Sequence, residues 1–311
     1  MRNVAVAIPV VIPVFARDDV FGTVAFLRNQ DYASGLYFIV IDNGNAAELS
    51  SRLKMLAGED CEVISFSENR GGSAAYIAGV EAAMKRTPQP PYIWLLDDDA
   101  KPNGRTLPAL VEKMEVLLKG NPCIASVGST QLSLSNPRRI VECGTRYNLF
   151  LGHAFPQFAG QDIESAGDKT VKIDYAAACS LLVNTAAVRE CGFWEDVFIH
   201  FDDIEWGLRV NDRGWINYAT TASTVVHPEG GAGKSGAWIC YFDSRNQLWL
   251  ASKYGRAYIA AALFKDFLKN IRDRLQGNAE RIAYRKLAHA DFKAGIRRSR
   301  KDVIAAVTGG R

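Results

Sequence analysis

The sequence lacks the patterns that mark several classes of protein. It contains no stretch of about twenty uninterrupted apolar residues, so we expect no membrane-spanning helix. The start, Met1-Arg2-Asn3, runs straight into a short apolar stretch that Pro9 and Pro13 break, which is not the pattern of a signal peptide. The 6 cysteines are scattered without a CxxC pair, and this spacing favours reduced core residues of a cytosolic protein over a zinc site or a disulfide framework.

Charge is distributed unevenly along the chain. Residues 251–311 hold 15 Lys or Arg against 5 Asp or Glu, whereas the remaining 250 residues hold 22 against 29. Residues 256–301 predict one or two basic amphipathic helices, which either pack with a solvated basic face or bind anionic lipid headgroups. Because no recognisable nucleic-acid-reading module accompanies this charge, we expect residues 256–301 to meet an anionic membrane surface and not a nucleic acid.

Apolar, β-branched runs alternate with helical patterns through the first third of the chain. Strands are predicted at Val4–Phe15, Leu36–Ile41, Glu62–Phe66 and Tyr92–Leu96, with helices at 20–29, 46–57 and 74–85 between them. This alternation predicts an α/β protein with a mostly parallel sheet flanked by helices. Beyond it we expect helices at 104–119 and 237–254, strands at 123–129, 171–175, 181–184, 215–218 and 223–226, and loops or a short hairpin within 131–170.

Three adjacent carboxylates, Asp97, Asp98 and Asp99, directly follow the apolar run Tyr92–Leu96. Their charges repel one another, and a divalent cation with oxygen ligands, usually Mg²⁺ or Mn²⁺, would neutralise the cluster. A solvated acidic turn is the alternative. The position of the triplet at the carboxyl end of a strand, where open α/β sheets bind ligands, favours the cation site.

Two further loops follow predicted strands. Asp42-Asn43-Gly44 ends the second strand, and Arg70-Gly71-Gly72 precedes the helix at 74–85. Paired glycines before a helix allow close approach to the backbone, whose free N–H groups favour an anion, and the arginine can add a bidentate contact to a phosphate or a base. The spacing matches neither a P-loop nor a Rossmann GxGxxG motif, and a plain turn is the alternative.

A second acidic pair, Asp202-Asp203, lies among aromatic residues. One of the two would cap the following helix, but a cap needs only one carboxylate, and rings beside carboxylates are typical of sugar-binding sites. His227 ends a predicted strand before the Gly-rich loop 229–231 and is either a metal ligand or a structural histidine. Arg245, in the helix at 237–254, faces either a phosphate or solvent.

In their order and spacing, these motifs resemble the inverting, nucleotide-sugar-dependent glycosyltransferases of family 2, which have the GT-A fold. The resemblance covers roughly residues 4–255 and rests on strand 10–15, Asp42-Asn43-Gly44, 69–72, 97–99, 202–205 and Leu208-Arg209. Within the family, 198–209, Val226-His227 and 241–246 are most similar to bacterial galactofuranosyltransferases. Related rhamnosyltransferases usually have Glu-Asp where this chain has Asp202-Asp203.

The resemblance implies a Rossmann-like GT-A domain over residues 1–255, a basic amphipathic helical extension over 256–311, and a role for each matching residue. Asp42, Arg70, Gly72, Asp97 and Asp98 would bind the donor; Asp97, Asp99 and His227 would hold Mn²⁺ or Mg²⁺; Asp203 would be the general base; Trp194, His200, Asp202, Glu205 and Trp206 would bind the acceptor; and Arg245 would contact the diphosphate or the acceptor.

The implied reaction transfers galactofuranose from a UDP-sugar to a hydroxyl of a lipid-linked glycan in cell-surface polysaccharide synthesis. A rhamnosyltransferase that uses dTDP-rhamnose is the alternative, followed by a sugar nucleotidyltransferase, whose usual Gly-rich, Lys-containing N-terminal loop is missing, and by a non-catalytic binding protein. Polymerising galactofuranosyltransferases carry an additional N-terminal β-rich domain, whereas this chain begins almost at the first strand. We therefore expect a single-addition enzyme, cytoplasmic and peripheral on the inner face of the cell membrane.

Overall fold

Strands and helices alternate through the first third of the chain. The computed structural model describes residues 7–30, 32, 35–228 and 236–309. Its first elements are β1 (Ile8–Val14), α1 (Asp19–Arg28), β2 (Leu36–Asn43), α2 (Ala47–Lys54), β3 (Cys61–Phe66), α3 (Gly71–Met84) and β4 (Tyr92–Leu96). The predicted succession is confirmed, although residues 4–6 of the predicted first strand lie outside the described part of the chain.

The middle of the chain adds shorter elements. They are β5 (Lys101–Pro102), α4 (Thr106–Gly120), β6 (Ile124–Ser133), β7 (Ile140–Glu142), β8 (Thr145–Asn148), β9 (His153–Pro156), α5 (Ile163–Ala166), β10 (Thr170–Ile173), β11 (Ser180–Asn184), α6 (Thr185–Cys191), α7 (Asp202–Asp212) and β12 (Ile216–His227). Strands β8 and β9 form the hairpin expected within 131–170. The two strands predicted at 215–218 and 223–226 are one strand, β12, whose register against β6 shifts between Thr220 and Thr224.

The main sheet is mixed, with the order β10-β12-β6-β11-β4-β1-β2-β3. Strands β3, β2, β1 and β4 are parallel, as the alternation predicts. Strand β11 runs antiparallel to both β4 and β6, and β12 is parallel to β6. Strands β1, β2, β4, β6 and β12 therefore share one direction, and their carboxyl ends meet at one edge of the sheet.

Both faces of the sheet are buried, which explains the continuous apolar runs of its strands. Val11 and Leu95 pack on one face with α3 residues such as Val80. Val10 and Trp94 pack on the other face with α1 and α4. Because successive side chains of a strand point to opposite faces, one apolar run supplies both cores.

Four helices complete the described chain: α8 (Ile239–Tyr254), α9 (Arg256–Leu275), α10 (Ala279–Ala294) and α11 (Arg300–Thr308). Tyr241 and Phe242 of α8 form a buried cluster with Tyr284 of α10 and Val303 of α11. No helix among the described residues combines the length and the apolar character that crossing a membrane requires. The division at 255/256 coincides with Gly255, between α8 and α9, and the two-domain organisation stays a prediction.

Candidate active site

Three potential metal ligands meet at the carboxyl edge of the sheet. Asp97 and Asp99 follow β4, and His227 ends β12, which runs in the same direction. The His227 Nε2 atom lies 3.1 Å from Asp99 Oδ1 and 3.4 Å from Asp97 Oδ2. One ligand atom from each residue falls within 4.8 Å of the other two. Two carboxylates and an imidazole suit Mn²⁺ and also permit Mg²⁺, so the donor set fits the predicted cation.

The electrostatics of this cluster point the same way. Burial lowers the pKa of His227, but the hydrogen bonds and charges of Asp97 and Asp99 outweigh it and raise the pKa to about 10. The two carboxylates therefore attract a positive charge into the space between them and the imidazole. A bound cation competes with the imidazole proton for the same position, because only the neutral ring ligates a metal.

The middle carboxylate of the triplet faces another way. Asp98 Oδ2 accepts a hydrogen bond from the Phe15 backbone N–H at 3.4 Å, and Asp98 Oδ1 lies 3.3 Å from Arg17 Nη1. Arg17 also pairs with Asp99. Burial raises the pKa of Asp98 to about 7, against the charge of Arg17. Sequence reasoning missed Arg17, although its position just after β1 places it at the same edge as the triplet.

The loop between β3 and α3 is tied to the end of β2. Asn43 Oδ1 accepts a hydrogen bond from the Arg70 backbone N–H at 2.9 Å, and Asn43 Nδ2 donates to the Gly71 carbonyl at 3.1 Å. The neighbouring Asp42 is buried and accepts hydrogen bonds from Asn45 N at 3.1 Å and Asn45 Nδ2 at 2.7 Å. The two predicted donor-binding loops therefore lie side by side.

Different structural features explain why each of the two paired positions, 71 and 72, is a glycine. Gly71 has φ of +84°, and a Cβ there would lie 2.1 Å from the Phe198 carbonyl oxygen, so only glycine fits. A Cβ at Gly72 would meet nothing within 4 Å, because this residue borders open cavities. The Arg70 guanidinium lies over the Phe66 ring at 4.7 Å from its centroid.

The second acidic pair begins helix α7. Asp202 is buried and accepts a hydrogen bond from Ser73 Oγ at 2.6 Å. Asp203 Oδ1 accepts the Ile204 backbone N–H at 2.8 Å. Burial, and then the charge of Asp202, raise the pKa of Asp203 to about 8. Asp203 is therefore a stronger proton acceptor than an ordinary aspartate once it is ionised.

The prediction that Asp202 or Asp203 is the N-cap of this helix is wrong. The cap position is Phe201, in the left-handed conformation with φ of +72°. Phe198 and His200 also have positive φ, +74° and +63°. Such conformations are costly for residues with a Cβ and cluster at functional sites. His200 is held by its Nδ1 atom, 2.8 Å from Asp243 Oδ1.

A cavity of about 490 Å³ joins the two acidic clusters. Asp97 of the triplet and Asp203 of the pair both line it, together with Gly72, Tyr76, Tyr175, Trp194, His200 and Asp202. Trp194 is packed edge-on against Tyr76, with ring centroids 5.2 Å apart. The cavity is therefore walled by aromatic rings and carboxylates, which suits a sugar.

The remaining predicted acceptor residues, Glu205 and Trp206, are not among the residues that line this cavity. Trp206 Nε1 donates to the Gly192 carbonyl at 2.9 Å. Glu205 is buried and forms ion pairs with Arg209 and Lys253, each at 2.8 Å. An acceptor contact by Glu205 or Trp206 stays a prediction.

Arg245 lies apart from this cavity. It is buried in α8, and its Nη2 donates to the Val197 carbonyl at 2.9 Å. It lines a smaller cavity of about 190 Å³, shared with Arg70 and Arg297. A contact of Arg245 with the diphosphate or with the acceptor stays a prediction.

Comparison with known proteins agrees with the geometry. Residues 10–162 match the family described as "Glycosyl transferase family 2". These residues form a family 2 glycosyl transferase domain. A solved structure, GalNAc-T7 with UDP, GalNAc and Mn²⁺, superposes with a TM-score of 0.62 over 99% of this chain and 59% of that chain at 14% identity. This likeness confirms the predicted GT-A fold.

Two curated relatives are galactofuranosyltransferases named GlfT2. The protein of Mycolicibacterium smegmatis is 25% identical over 244 residues, which cover 73% of this chain and 37% of the relative. The protein of Mycobacterium tuberculosis is 24% identical over 225 residues, which cover 67% of this chain and 33% of the relative. The chain therefore spans about a third of the length of the curated relatives it matches.

The family 2 match covers one side of the site. It includes Asp42, Arg70 and the triplet, but it ends before Asp203 and His227. It also includes Tyr76, which sequence reasoning missed and whose hydroxyl donates to Asp97 Oδ1 at 2.7 Å. Tyr76 lies in a small-residue, apolar helix, so its pattern indicated packing only.

Proposed function

We propose that the chain is a metal-dependent inverting glycosyltransferase that moves a sugar from a UDP-sugar to a hydroxyl of a glycan acceptor. One observation carries this proposal: Asp97 of the candidate metal cluster (Asp97, Asp99 and His227) and Asp203 line the same cavity of about 490 Å³. A donor held at Asp97 would place its anomeric carbon close to an acceptor near Asp203. The family 2 domain and the GT-A fold agree with this arrangement.

Asp97, Asp99 and His227 are the residues that would hold Mn²⁺ or Mg²⁺. When bound, the cation supplies charge stabilisation for the diphosphate leaving group. The N-terminus of α3, with Gly72 at the cavity wall, adds the positive end of a helix dipole for the same anion.

Asp203 is the proposed general base. Its burial and the neighbouring Asp202 raise its pKa to about 8, so the ionised carboxylate readily takes the proton of an acceptor hydroxyl. The hydroxyl oxygen then attacks the anomeric carbon as the bond to the diphosphate breaks. A single displacement of this kind inverts the anomeric centre, whereas retention by double displacement needs a carboxylate nucleophile.

The sugar we propose is galactofuranose, because the two curated relatives are galactofuranosyltransferases. The acceptor we propose is a lipid-linked glycan of the cell envelope. The alternative donor, dTDP-rhamnose, differs in its base and sugar, so thermal unfolding with Mn²⁺ plus UDP or dTDP separates the two. Stronger stabilisation by dTDP would contradict the UDP donor, and release of labelled UDP from UDP-galactofuranose with acceptor would support the sugar.

We also propose that α9 docks on an anionic membrane surface at the inner face of the cell membrane. Its apolar side chains Phe264, Phe267 and Leu268 are 61%, 56% and 50% exposed. The two aspartates of α9 point inward instead: Asp266 and Asp273 are buried and paired. The exposed charges of α9 are therefore basic, which complements anionic headgroups beside the apolar stripe.

A further inference from the structure

The C-terminal helix α11 forms part of a second cavity, of about 410 Å³, beside the candidate metal cluster. One wall consists of strand ends and the glycine loop, including Arg17, Asn43, Gly72 and Asp98. The other lining residues come from later parts of the chain: Phe198, Ile199, Trp238 and Arg300. Gly72 also borders the larger cavity, so the two cavities adjoin at the start of α3.

Arg300 contributes a cation to the lining of this cavity. Its guanidinium lies over the Trp238 ring, 4.5 Å from the centroid. Stacking on a ring occupies the face of a guanidinium and leaves the N–H donors at its edge available. Among the described residues no carboxylate forms an ion pair with Arg300, in contrast to Arg298, which pairs with Asp291 at 2.6 Å.

The position of Arg300 is set by the packing of α11. Ser299 and Asp302 form a capping box at the start of the helix, with Ser299 Oγ accepting from Asp302 N at 3.3 Å. Val303 is fully buried in the cluster with α8 and α10. Arg297 donates to the Asp196 carbonyl at 2.6 Å, which fixes the preceding loop. The Arg300 guanidinium therefore lies at the cavity on a helix, α11, that is held in place by its capping box and by packing.

The geometry points to Arg300 as a binding residue for the phosphate groups of the nucleotide-sugar donor, an inference that rests on the proposed function. If the diphosphate of the donor binds at Asp97 and Asp99, the nucleoside and the phosphate attached to it lie next to these residues. The 410 Å³ cavity lies there, with Asp98 among its lining residues. A guanidinium edge in the lining of this cavity matches phosphate oxygens in shape and charge. The C-terminal extension would then complete the donor site as well as meet a membrane.

Substitution of Arg300 by Gln tests the inference by comparing two ligands, UDP and uridine. Both are titrated calorimetrically into the full chain in the presence of Mn²⁺. We expect the affinity for UDP to fall about tenfold or more, because a hydrogen bond between charged groups is lost. The affinity for uridine should not change, because uridine has no phosphate. Arg300→Lys, which keeps the charge but not the planar fork, should recover part of the UDP affinity.

The matched control is Lys301→Gln, which removes an exposed cation from the next position of the same helix and should leave UDP affinity unchanged. Equal UDP affinities of wild type and Arg300→Gln would overturn the inference and leave the proposed function standing. Equal losses of UDP and uridine affinity would also overturn it, because they indicate a structural role for the Trp238 stack. A wild-type chain that binds no UDP with Mn²⁺ would overturn the proposed function itself.

Discussion

Replacement of Asp203 by Asn removes the proposed proton acceptor and should leave the rest of the site intact. The two side chains have the same shape, and the Asn Oδ1 can keep the hydrogen bond from the Ile204 backbone N–H, which is 2.8 Å long. The start of α7 should therefore persist. What changes is the proton balance, because Asn does not titrate.

The pKa of Asp203 sets the size of the effect on stability. Its value rises from 3.8 to about 8 on folding, so between these pH values the folded chain holds a proton that the unfolded chain has released. The contribution of the Asp203 proton to the free energy of unfolding is complete below pH 3.8 and is lost as the pH rises to about 8. The loss in the free energy of unfolding is about 1.4 kcal/mol per pH unit within this window.

Urea unfolding of the metal-free protein measures this difference. Between about pH 5 and about pH 7, wild type should lose about 3 kcal/mol relative to Asp203→Asn. The control is Asp19→Asn, which changes an exposed carboxylate at the start of α1 and should run parallel to wild type. Parallel curves for wild type and Asp203→Asn would refute the raised pKa of Asp203.

The same substitution tests the chemistry. Loss of a general base should reduce sugar transfer by about 10²- to 10⁴-fold, with UDP affinity preserved. For wild type, kcat/KM should increase with pH up to about 8, because Asp203 must be ionised to accept the proton. Undiminished turnover of Asp203→Asn would show that another group takes the proton.

Three further predictions concern the cation, the glycine loop and α9. His227→Ala should abolish the increase in Tm that Mn²⁺ with UDP gives wild type, whereas an unchanged increase would exclude His227 as a ligand. Gly71→Ala should lower the free energy of unfolding by more than about 2 kcal/mol because of its positive φ and the close Phe198 carbonyl, whereas Gly72→Ala should stay within about 0.5 kcal/mol of wild type. Phe264→Asp should weaken binding to phosphatidylglycerol vesicles about tenfold. Met55→Asp, at a more exposed apolar residue just after α2, should leave vesicle binding unchanged. Equal effects of the two substitutions would argue against α9 as the docking face.

The strand-end residues were predictable because of the symmetry of a parallel sheet. Asp42 and the triplet follow apolar runs that alternate with helices, and parallel strands bring their carboxyl ends to one edge. His227 was a weaker prediction, since two strands of the sheet, β6 and β11, separate its strand from β4. Its approach to Asp99 depends on β11, whose antiparallel course between β4 and β6 returns β6 and β12 to the direction of β4.

Other features had no local signal. The cap of α7 is Phe201 in a left-handed conformation, which propensity disfavours and which only the packing of the loop maintains. The sequence pattern around Tyr76 indicates an ordinary helix residue, yet the Tyr76 hydroxyl donates a hydrogen bond to Asp97. The stack of Arg300 on Trp238 joins α11 to the N-cap residue of α8, which is far away in the chain.

The alternation of elements and the acidic strand end follow from the sequence alone, because they depend on local apolar patterns and on three adjacent aspartates. Which carboxylates share a cavity depends on the tertiary structure. Asp97 and Asp203 are far apart in the chain, and their placement on one cavity follows from strand direction and from the hydrogen bond between Ser73 of α3 and Asp202 of α7. The same holds for the pKa of Asp203, because its burial is a property of the folded chain.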